Sequence, residues 1–378
     1  MSDKIKIMIL QTRHTASISY LTAELVKAFP AERYELTLVY LESGEPAEVD
    51  SFARSVVFLG LKNTDYKGLR LKAKKKVRPF LEANHFDVII ANMFKPMHLL
   101  MQLRKSIRAP VCIGIIHAFG EFDRWGRRLM MRFNLDHRWH IVGVSSPVRD
   151  YLINARCGLD YKNTSVINNS VDVHAVVDQA LDAKNARAAL QLPPDGLMFG
   201  TVGRCVKGKR QLDLVKAFHR LAPNHHNVFL VVIGDGEAKA ELDAYVAVHQ
   251  LASRVFLLGN VPRALHYLRA LDIFVLPSAS EGLSVALLEA MALSLPTVVN
   301  QIEALSSIVS ACGGVLVDSQ DIEALSEAMA YYCNISEAER RALGQKHYQR
   351  VRDLYNIEEY RTSYRDLVEN LLASRAAG

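Results

Sequence analysis

The chain has 378 residues, 46 Lys or Arg against 40 Asp or Glu, for a formal net charge of +6, and half of its residues are hydrophobic. That is too long for one ordinary core and too apolar for disorder, so two domains are the natural reading. No apolar run reaches the roughly 18 to 20 residues of a bilayer span, and the first apolar run, 5–10, is followed by Arg13 and His14 where a signal peptide would carry its cleavage region.

In chain order, short apolar, β-branched runs alternate with helical patterns. The expected strands of the first half are 6–10, 36–41, 56–59, 87–91, 111–116, 141–145 and 165–167, with helices near 17–29, 67–84, 96–107, 124–135 and 146–156. The strands are continuous apolar runs, as parallel strands covered on both faces require. A polar, Asp- and Ala-rich stretch ending in Leu192-Pro193-Pro194-Asp195-Gly196 reads as a linker and turn. The pattern then restarts, with strands at 198–202, 228–233, 255–258, 273–276, 297–299 and 314–317. Helices fit at 210–221, 237–249, 284–293, 321–333 and 336–354, and a last helix, about 357–374, has no strand after it. The fold class is therefore α/β, as two consecutive domains with right-handed crossovers and ligand chemistry at strand C-terminal ends. Charge divides with them: residues 1–170 carry net +10 and residues 171–378 net −4, which suggests different partners for the two halves. Five cysteines, at 112, 157, 205, 312 and 333, show no metal-ligand spacing. They are expected as reduced thiols of a cytoplasmic protein.

The richest segment is Pro277-Ser278-Ala279-Ser280-Glu281-Gly282-Leu283-Ser284 and the apolar helix after it. Strand 273–276 feeds a Pro/Ser/Gly turn, and Ser284 is a plausible N-cap. The amides of Gly282, Leu283 and Ser284 would then lie at a helix N-terminus, which favours an anion. Glu289 is an acid in an otherwise apolar helix. A buried carboxylate needs hydrogen-bond donors, and sugar hydroxyls supply them. A solvated stripe for Glu289 and an ordinary turn acid at Glu281 are the plain alternatives. The second segment runs Gly203-Arg204-Cys205-Val206-Lys207-Gly208-Lys209-Arg210, after the first strand of the second half. Glycines permit close backbone approach, and four basic residues in seven positions suit a diphosphate. The spacing is neither that of a Walker loop nor G-x-G-x-x-G.

Taken together, Glu281-x7-Glu289 with Gly203-Arg204 and Lys209 upstream resembles the retaining glycosyltransferases of family four, which have the GT-B fold. Ile141 to Ser146, Asn168-Asn169-Ser170-Val171-Asp172, Gly234-Asp235-Gly236, Leu258-Gly259-Asn260-Val261 and Leu293 to Val299 resemble further pieces of that family in order. The resemblance implies two Rossmann-like domains facing across a cleft. Residues 1–180 would bind the acceptor, with the C-terminal helix 357–378 crossing back to them, and residues 181–356 would bind a nucleotide-sugar donor. It implies that Arg204 and Lys209 bind the donor diphosphate, that Glu281 with the Gly282, Leu283 and Ser284 amides holds the donor sugar and phosphates, and that Glu289 binds the ribose. Gly203, Gly234, Asp235, Gly259 and Asn260 would form the remaining nucleotide-side loops. His117 is similar to the family's N-domain histidine near the donor sugar and acceptor; a satisfied structural histidine is the plain alternative. The sequence departs from the family at 11–17, which contains no glycine, so Arg13 and Ser17 are the candidates there. It departs also at Ser170, Arg210 and Ser307.

The reaction implied is hexose transfer from a nucleotide sugar, a UDP-sugar by preference, to a hydroxyl with anomeric retention. The donor is substrate and no cofactor is expected. The chain has no Asp-x-Asp, so Arg204 and Lys209 would do the work of a metal. Residues 67–78, Lys67 to Arg78, hold seven basic residues and no acid. Residues 122–140, Phe122 to His140, hold five Arg with Phe122, Trp125, Phe133 and Trp139. Basic and aromatic residues on helices suit an anionic glycan or glycolipid acceptor, such as lipopolysaccharide core, or a peripheral position on the inner membrane face; a solvated surface is the plain alternative. Nucleotide-sugar 2-epimerases share two α/β domains and are the alternative enzyme class. A nucleic-acid binder would leave the phosphate loops unexplained, and a nicotinamide dehydrogenase lacks its glycine fingerprint.

Overall fold

The structure is a computed structural model and describes residues 4–13, 16–45, 48–66, 68 and 70–377. The chain forms two compact units, one of residues 1–169 with 357–378 and one of residues 170–356.

The first unit holds seven parallel strands in the order β3-β2-β1-β4-β5-β6-β7. These are β1 (Ile5–Gln11), β2 (Tyr34–Glu42), β3 (Ser55–Leu61), β4 (Val88–Asn92), β5 (Val111–Ile116), β6 (Trp139–Gly143) and β7 (Thr164–Val166). Every residue of β4, β5 and β6 is buried. That is why their sequences are apolar apart from Asn92 at the end of β4 and His140 in β6, and show no two-residue alternation. Helices α1 (Ala16–Lys27), α2 (Leu71–Ala83), α3 (Phe94–Gln102), α4 (Trp125–Asn134) and α5 (Ser146–Asn154) make the crossovers. The residues of α2 that face the sheet, Ala73, Val77 and Leu81, recur at helical spacing and are buried.

The second unit holds six parallel strands in the order β10-β9-β8-β11-β12-β13. These are β8 (Leu197–Val202), β9 (Val228–Ile233), β10 (Val255–Gly259), β11 (Ile273–Leu276), β12 (Thr297–Asn300) and β13 (Val315–Val317). Its helices are α6 (Val173–Gln179), α7 (Ala183–Ala189), α8 (Gln211–Leu221), α9 (Lys239–Val248), α10 (Val285–Ala292), α11 (Glu303–Val309), α12 (Ile322–Asn334) and α13 (Glu337–Leu354). Here the sequence reading needs correction. Residues 170–180 pack with the second unit: the Val171 amide donates to the Tyr355 carbonyl at 3.1 Å, and Leu181 to His266 at 2.9 Å. The expected linker is largely helical. Asp172 and Asp182 accept from the Ala175 and Asn185 amides and so cap α6 and α7. Arg187 of α7 then donates to the Ala270 carbonyl at 3.0 Å and to Asp272 at 2.8 Å, which anchors this segment beside β8 and β11.

The last helix, α14 (Ile357–Ala376), belongs to the first unit. Its buried face, Ile357, Tyr360, Tyr364 and Val368, recurs every three or four residues. Arg361 pairs with the buried Glu24 of α1, and the Tyr34 hydroxyl donates to Glu369 at 2.5 Å. Burying Glu24 is tolerated because two cations, Lys27 and Arg361, meet it.

Candidate active site at the strand-order reversal of each sheet

Both sheets reverse strand order at their first strand, between β1 and β4 and between β8 and β11. Such reversals open a crevice at strand C-terminal ends, where ligands of open α/β sheets bind.

In the second unit this crevice brings the two sequence motifs together. The chain leaves β8 through Gly203 and Arg204 into a short 3-10 turn, Lys207–Lys209, and enters α8 through Arg210 at φ 52°. It leaves β11 through Pro277 to Ser284, and the Ser284 hydroxyl accepts from the Leu287 amide to cap α10. Gly282, Leu283 and Ser284 thus lead into the α10 N-terminus. The Lys209 ammonium meets the Glu281 carboxylate at 2.5 Å, with only 28% and 11% of the two side chains exposed. An ammonium has three donors, so Lys209 is oriented by Glu281 and keeps donors for a ligand oxygen. Arg204 is exposed and has no partner among the described residues; only its carbonyl is held, by the Gln211 side chain at 2.9 Å.

The loops are fastened by residues no motif announces. The Ala279 amide donates to the Gly208 carbonyl at 2.8 Å. The Asn300 amide group donates to the Ser278 carbonyl at 2.9 Å, and its oxygen accepts from the Ser319 amide at 2.9 Å. The Ser319 hydroxyl donates to the Pro277 carbonyl at 2.7 Å and accepts from Arg210 at 3.0 Å. Arg210, a departure from the family pattern, therefore ties the β8 loop to the β13 end. Gly234 and Gly236 are glycines because the β8 loop lies against them. A β-carbon on Gly234 would stand 1.9 Å from the Gly203 carbonyl oxygen, and one on Gly236 would stand 2.3 Å from that of Cys205. Asp235 accepts from the Gly236 amide at 2.7 Å, and the Gly259 carbonyl accepts from Gly234 at 2.7 Å. Asn260 lies exposed just beyond.

Glu289 sits in the second turn of α10, with no hydrogen-bond or ionic partner among the described residues. Burial raises its carboxyl to a pKa of about 7. It is a partly protonated acid at neutral pH, waiting for donors.

In the first unit His117 emerges from β5. Its Nε2 lies 2.6 Å from the Asn92 side-chain oxygen. An amide oxygen only accepts, so Nε2 carries the proton and Nδ1 is left as an acceptor. Asn92 ends β4 and donates onward to the Thr22 hydroxyl at 3.2 Å, to which Gln11, the last residue of β1, also donates at 2.5 Å. Burial lowers the His117 pKa to about 4, so the ring is neutral. Arg13 is exposed beyond β1. The Ser17 side chain, with His14 and Thr15, lies outside the described residues.

The 122–140 stretch splits, against expectation. Phe122 and Trp139 are core residues, exposed 0% and 2%: Phe122 packs edge-on against Phe94 with ring centroids 5.3 Å apart, and Trp139 begins the buried β6. Arg138 is structural, bound to Asp136 and to the Ile107 carbonyl. Trp125, Leu129 and Phe133, one stripe of α4, are exposed. Of residues 67–78, Lys67 and Leu69 lie outside the described residues, and α2 begins at Leu71.

Residues 182–350 match the family described as "Glycosyl transferases group 1" and residues 18–175 match "Glycosyltransferase Family 4". The chain belongs to the family 4, group 1 glycosyltransferases. This glycosyltransferase is 24% identical to the UDP-Gal:alpha-D-GlcNAc-diphosphoundecaprenol alpha-1,3-galactosyltransferase of Escherichia coli, over 86% of this chain and 87% of that protein. It is 31% identical to the lipopolysaccharide core biosynthesis mannosyltransferase LpsB of Rhizobium meliloti (strain 1021), over 55% and 58%. Among solved structures it is similar to sucrose-phosphate synthase of Thermosynechococcus elongatus, with a TM-score of 0.81 and 19% identity over 98% of this chain and 100% of that one. It is also similar to HepE of Anabaena in complex with UDP-glucose, with a TM-score of 0.79 and 16% identity over 97% and 100%. These structural likenesses identify the glycosyltransferase's fold as GT-B.

Proposed function

We propose that this glycosyltransferase moves a hexose from a UDP-sugar to a hydroxyl of an envelope glycan acceptor, such as lipopolysaccharide core, with retention and without a metal ion. The observation that carries the reading is the Lys209–Glu281 pair at the β8/β11 reversal, with Arg204, unpaired among the described residues, on the Lys209 loop and Glu289 in the second turn of α10, the helix that follows Glu281. Envelope chemistry is supported by what the relatives in Escherichia coli and Rhizobium meliloti are named for, and a UDP donor by the HepE complex with UDP-glucose.

In the transfer, the bond from the sugar's anomeric carbon to the β-phosphate oxygen breaks and a bond to the acceptor oxygen forms. The acceptor's proton passes to the departing phosphate, so no protein nucleophile is required. Negative charge grows on the nucleoside diphosphate, and Arg204 with the oriented Lys209 stabilises it. Glu281 aligns Lys209 and stands beside the sugar position. Glu289 accepts from the ribose hydroxyls, and Gly203, Gly234, Asp235, Gly259 and Asn260 shape the loops around the nucleotide. The neutral His117, its Nε2 proton committed to Asn92, offers Nδ1 to a sugar or acceptor hydroxyl. Arg13 serves the loop after β1. No described helix is long and apolar enough to cross a membrane. The exposed Trp125, Leu129 and Phe133 stripe of α4, flanked by Arg128 and Arg132, suits a peripheral position on an anionic membrane surface.

The test is incubation with UDP-glucose, UDP-galactose, GDP-mannose and ADP-heptose, each with and without truncated lipopolysaccharide core. Hexosyl transfer that requires acceptor supports the reading. Formation of a C2 epimer without acceptor overturns it in favour of the epimerase class.

A further inference from the structure

The two basic stretches of the first unit meet in one cavity. It measures about 390 Å³ and is lined by Arg70, Lys95, Arg124 and Arg127 together with Tyr66 and Phe94. It lies beyond β3 and β4, on the side of the sheet from which His117 emerges. Among the described residues four cations line it and no acid does. One of the four is spoken for: Arg127 pairs with Glu121 at 2.5 Å, donates to the Glu121 carbonyl at 2.9 Å, and lies over the Phe94 ring at 4.7 Å. Lys95 lies over the Tyr66 ring at 5.4 Å. Arg124 is exposed and has no partner among the described residues.

Arg70 is the telling residue. Its Nε donates to the Tyr66 carbonyl at 2.9 Å, which fixes the guanidinium. Its Nη1 is buried without a hydrogen-bond partner among the described residues. A buried, unpaired guanidinium donor is costly, and an anionic oxygen in the cavity would satisfy it. The positive field is felt by a neighbour: burial first, and then Arg70, Arg127 and Lys74, lower the pKa of His98 to about 3. The first turn of α3, at Phe94 and Lys95, has no side-chain cap. Its amides add to the same preference for an anion.

We infer that this cavity binds a diphosphate group on the acceptor, with Arg70, Arg124 and Lys95 as its cationic partners and Arg127 held as a wall by Glu121 and Phe94. Three uncompensated cations exceed what one singly charged phosphodiester needs and match a diphosphate. The inference rests on the reading of the first unit as the acceptor domain and names the acceptor's chemistry. The acceptor that carries the diphosphate is either lipid-linked or soluble, and the exposed α4 stripe continuing from Arg124 fits the first.

Calorimetry with the full chain tests it. The donor site is first filled with saturating UDP, and that titration reports separately on the donor reading, which fails if UDP does not bind. Farnesyl diphosphate, inorganic pyrophosphate and farnesol are then titrated into wild type, Arg70→Gln and Arg124→Gln. Both diphosphates should bind wild type and farnesol should not. Each substitution should weaken them roughly 10- to 100-fold, the loss of one charge-assisted contact, with UDP affinity unchanged. A farnesyl preference would identify a lipid-linked acceptor, and equal affinity a soluble one. Absence of diphosphate binding, or binding that both variants retain, overturns the inference. So does a wild type that binds vesicles of 30% phosphatidylglycerol equally well with and without pyrophosphate while binding no farnesyl diphosphate. The cluster would then be a diffuse membrane patch. Arg124 is exposed, so its variant keeps the test valid should Arg70→Gln fold poorly.

Discussion

Glu289 should make nucleotide affinity depend on pH. Its pKa is about 7 because burial penalises the charged form, and no partner among the described residues meets it. Ribose hydroxyls donate to a carboxylate, so the nucleotide prefers the ionised acid. With an apparent pKa of about 7, roughly a tenth of the acid is ionised at pH 6 and roughly nine tenths at pH 8. The affinity for UDP-glucose should therefore fall about tenfold from pH 8 to pH 6, or about 1.4 kcal/mol. Binding at pH 7 should release about half a proton, read from calorimetry in two buffers of different ionisation enthalpy. UDP-glucose is the right ligand because its diphosphate is doubly esterified and does not titrate in this window, whereas the terminal phosphate of UDP does. Glu289→Gln should bind less tightly at pH 8 and lose the pH dependence. A flat wild-type profile, or the same slope in the variant, would refute the assignment of Glu289 to the ribose.

Three further outcomes are expected. Lys209→Ala and Arg204→Ala should each lower kcat by roughly 10²- to 10³-fold, the usual loss when one preorganised charge at a developing anion is removed; kcat within twofold of wild type would remove them from the leaving-group role. Gly234→Ala should cost about 1–3 kcal/mol of stability, seen as a lower thermal midpoint, and should weaken UDP-glucose binding, since its β-carbon would lie 1.9 Å from the Gly203 oxygen; an unchanged midpoint would contradict this packing. His117, lowered from 6.5 to about 4, stays neutral in the fold while the unfolded chain takes up a proton as pH falls below about 6.5. Wild type should accordingly lose on the order of 2 kcal/mol at pH 5 relative to neutral pH through this group. His117→Gln should lose less in denaturant unfolding at pH 7 and pH 5, and equal losses would show that the ring is not buried neutral.

The strands were legible because a parallel strand covered on both faces must be apolar, and β5, β11 and all of β4 before its terminal Asn92 are so. Glu281, Glu289 and Lys209 were legible because charges beside a glycine turn or inside an apolar helix are conspicuous. Helices α6, α7 and α11 escaped notice because each has seven residues, too few for helical periodicity to stand out; the Asp172 and Asp182 caps were the available signal. Asn92, Thr22, Asn300 and Ser319 belong to no local pattern. Each works by closing hydrogen bonds between strand ends distant in sequence, and only a polar residue ending an apolar run, as at Asn92 and Asn300, hints at it. The cavity of Arg70, Lys95, Arg124 and Arg127 is assembled from three separate segments. Composition gave its charge but not its concavity. The same composition overstated the 122–140 stretch, because aromatic residues serve a core as readily as a surface and Phe122 and Trp139 serve the core.

Every role assigned to the second unit requires a sugar nucleotide held at the β8/β11 reversal. A crystal structure of the protein with UDP-glucose tests it most directly. The diphosphate should lie against Arg204 and Lys209, the ribose hydroxyls on Glu289 and the hexose beside Glu281. Nucleotide bound away from these loops, or at them with Lys209 and Glu289 out of contact, would contradict it.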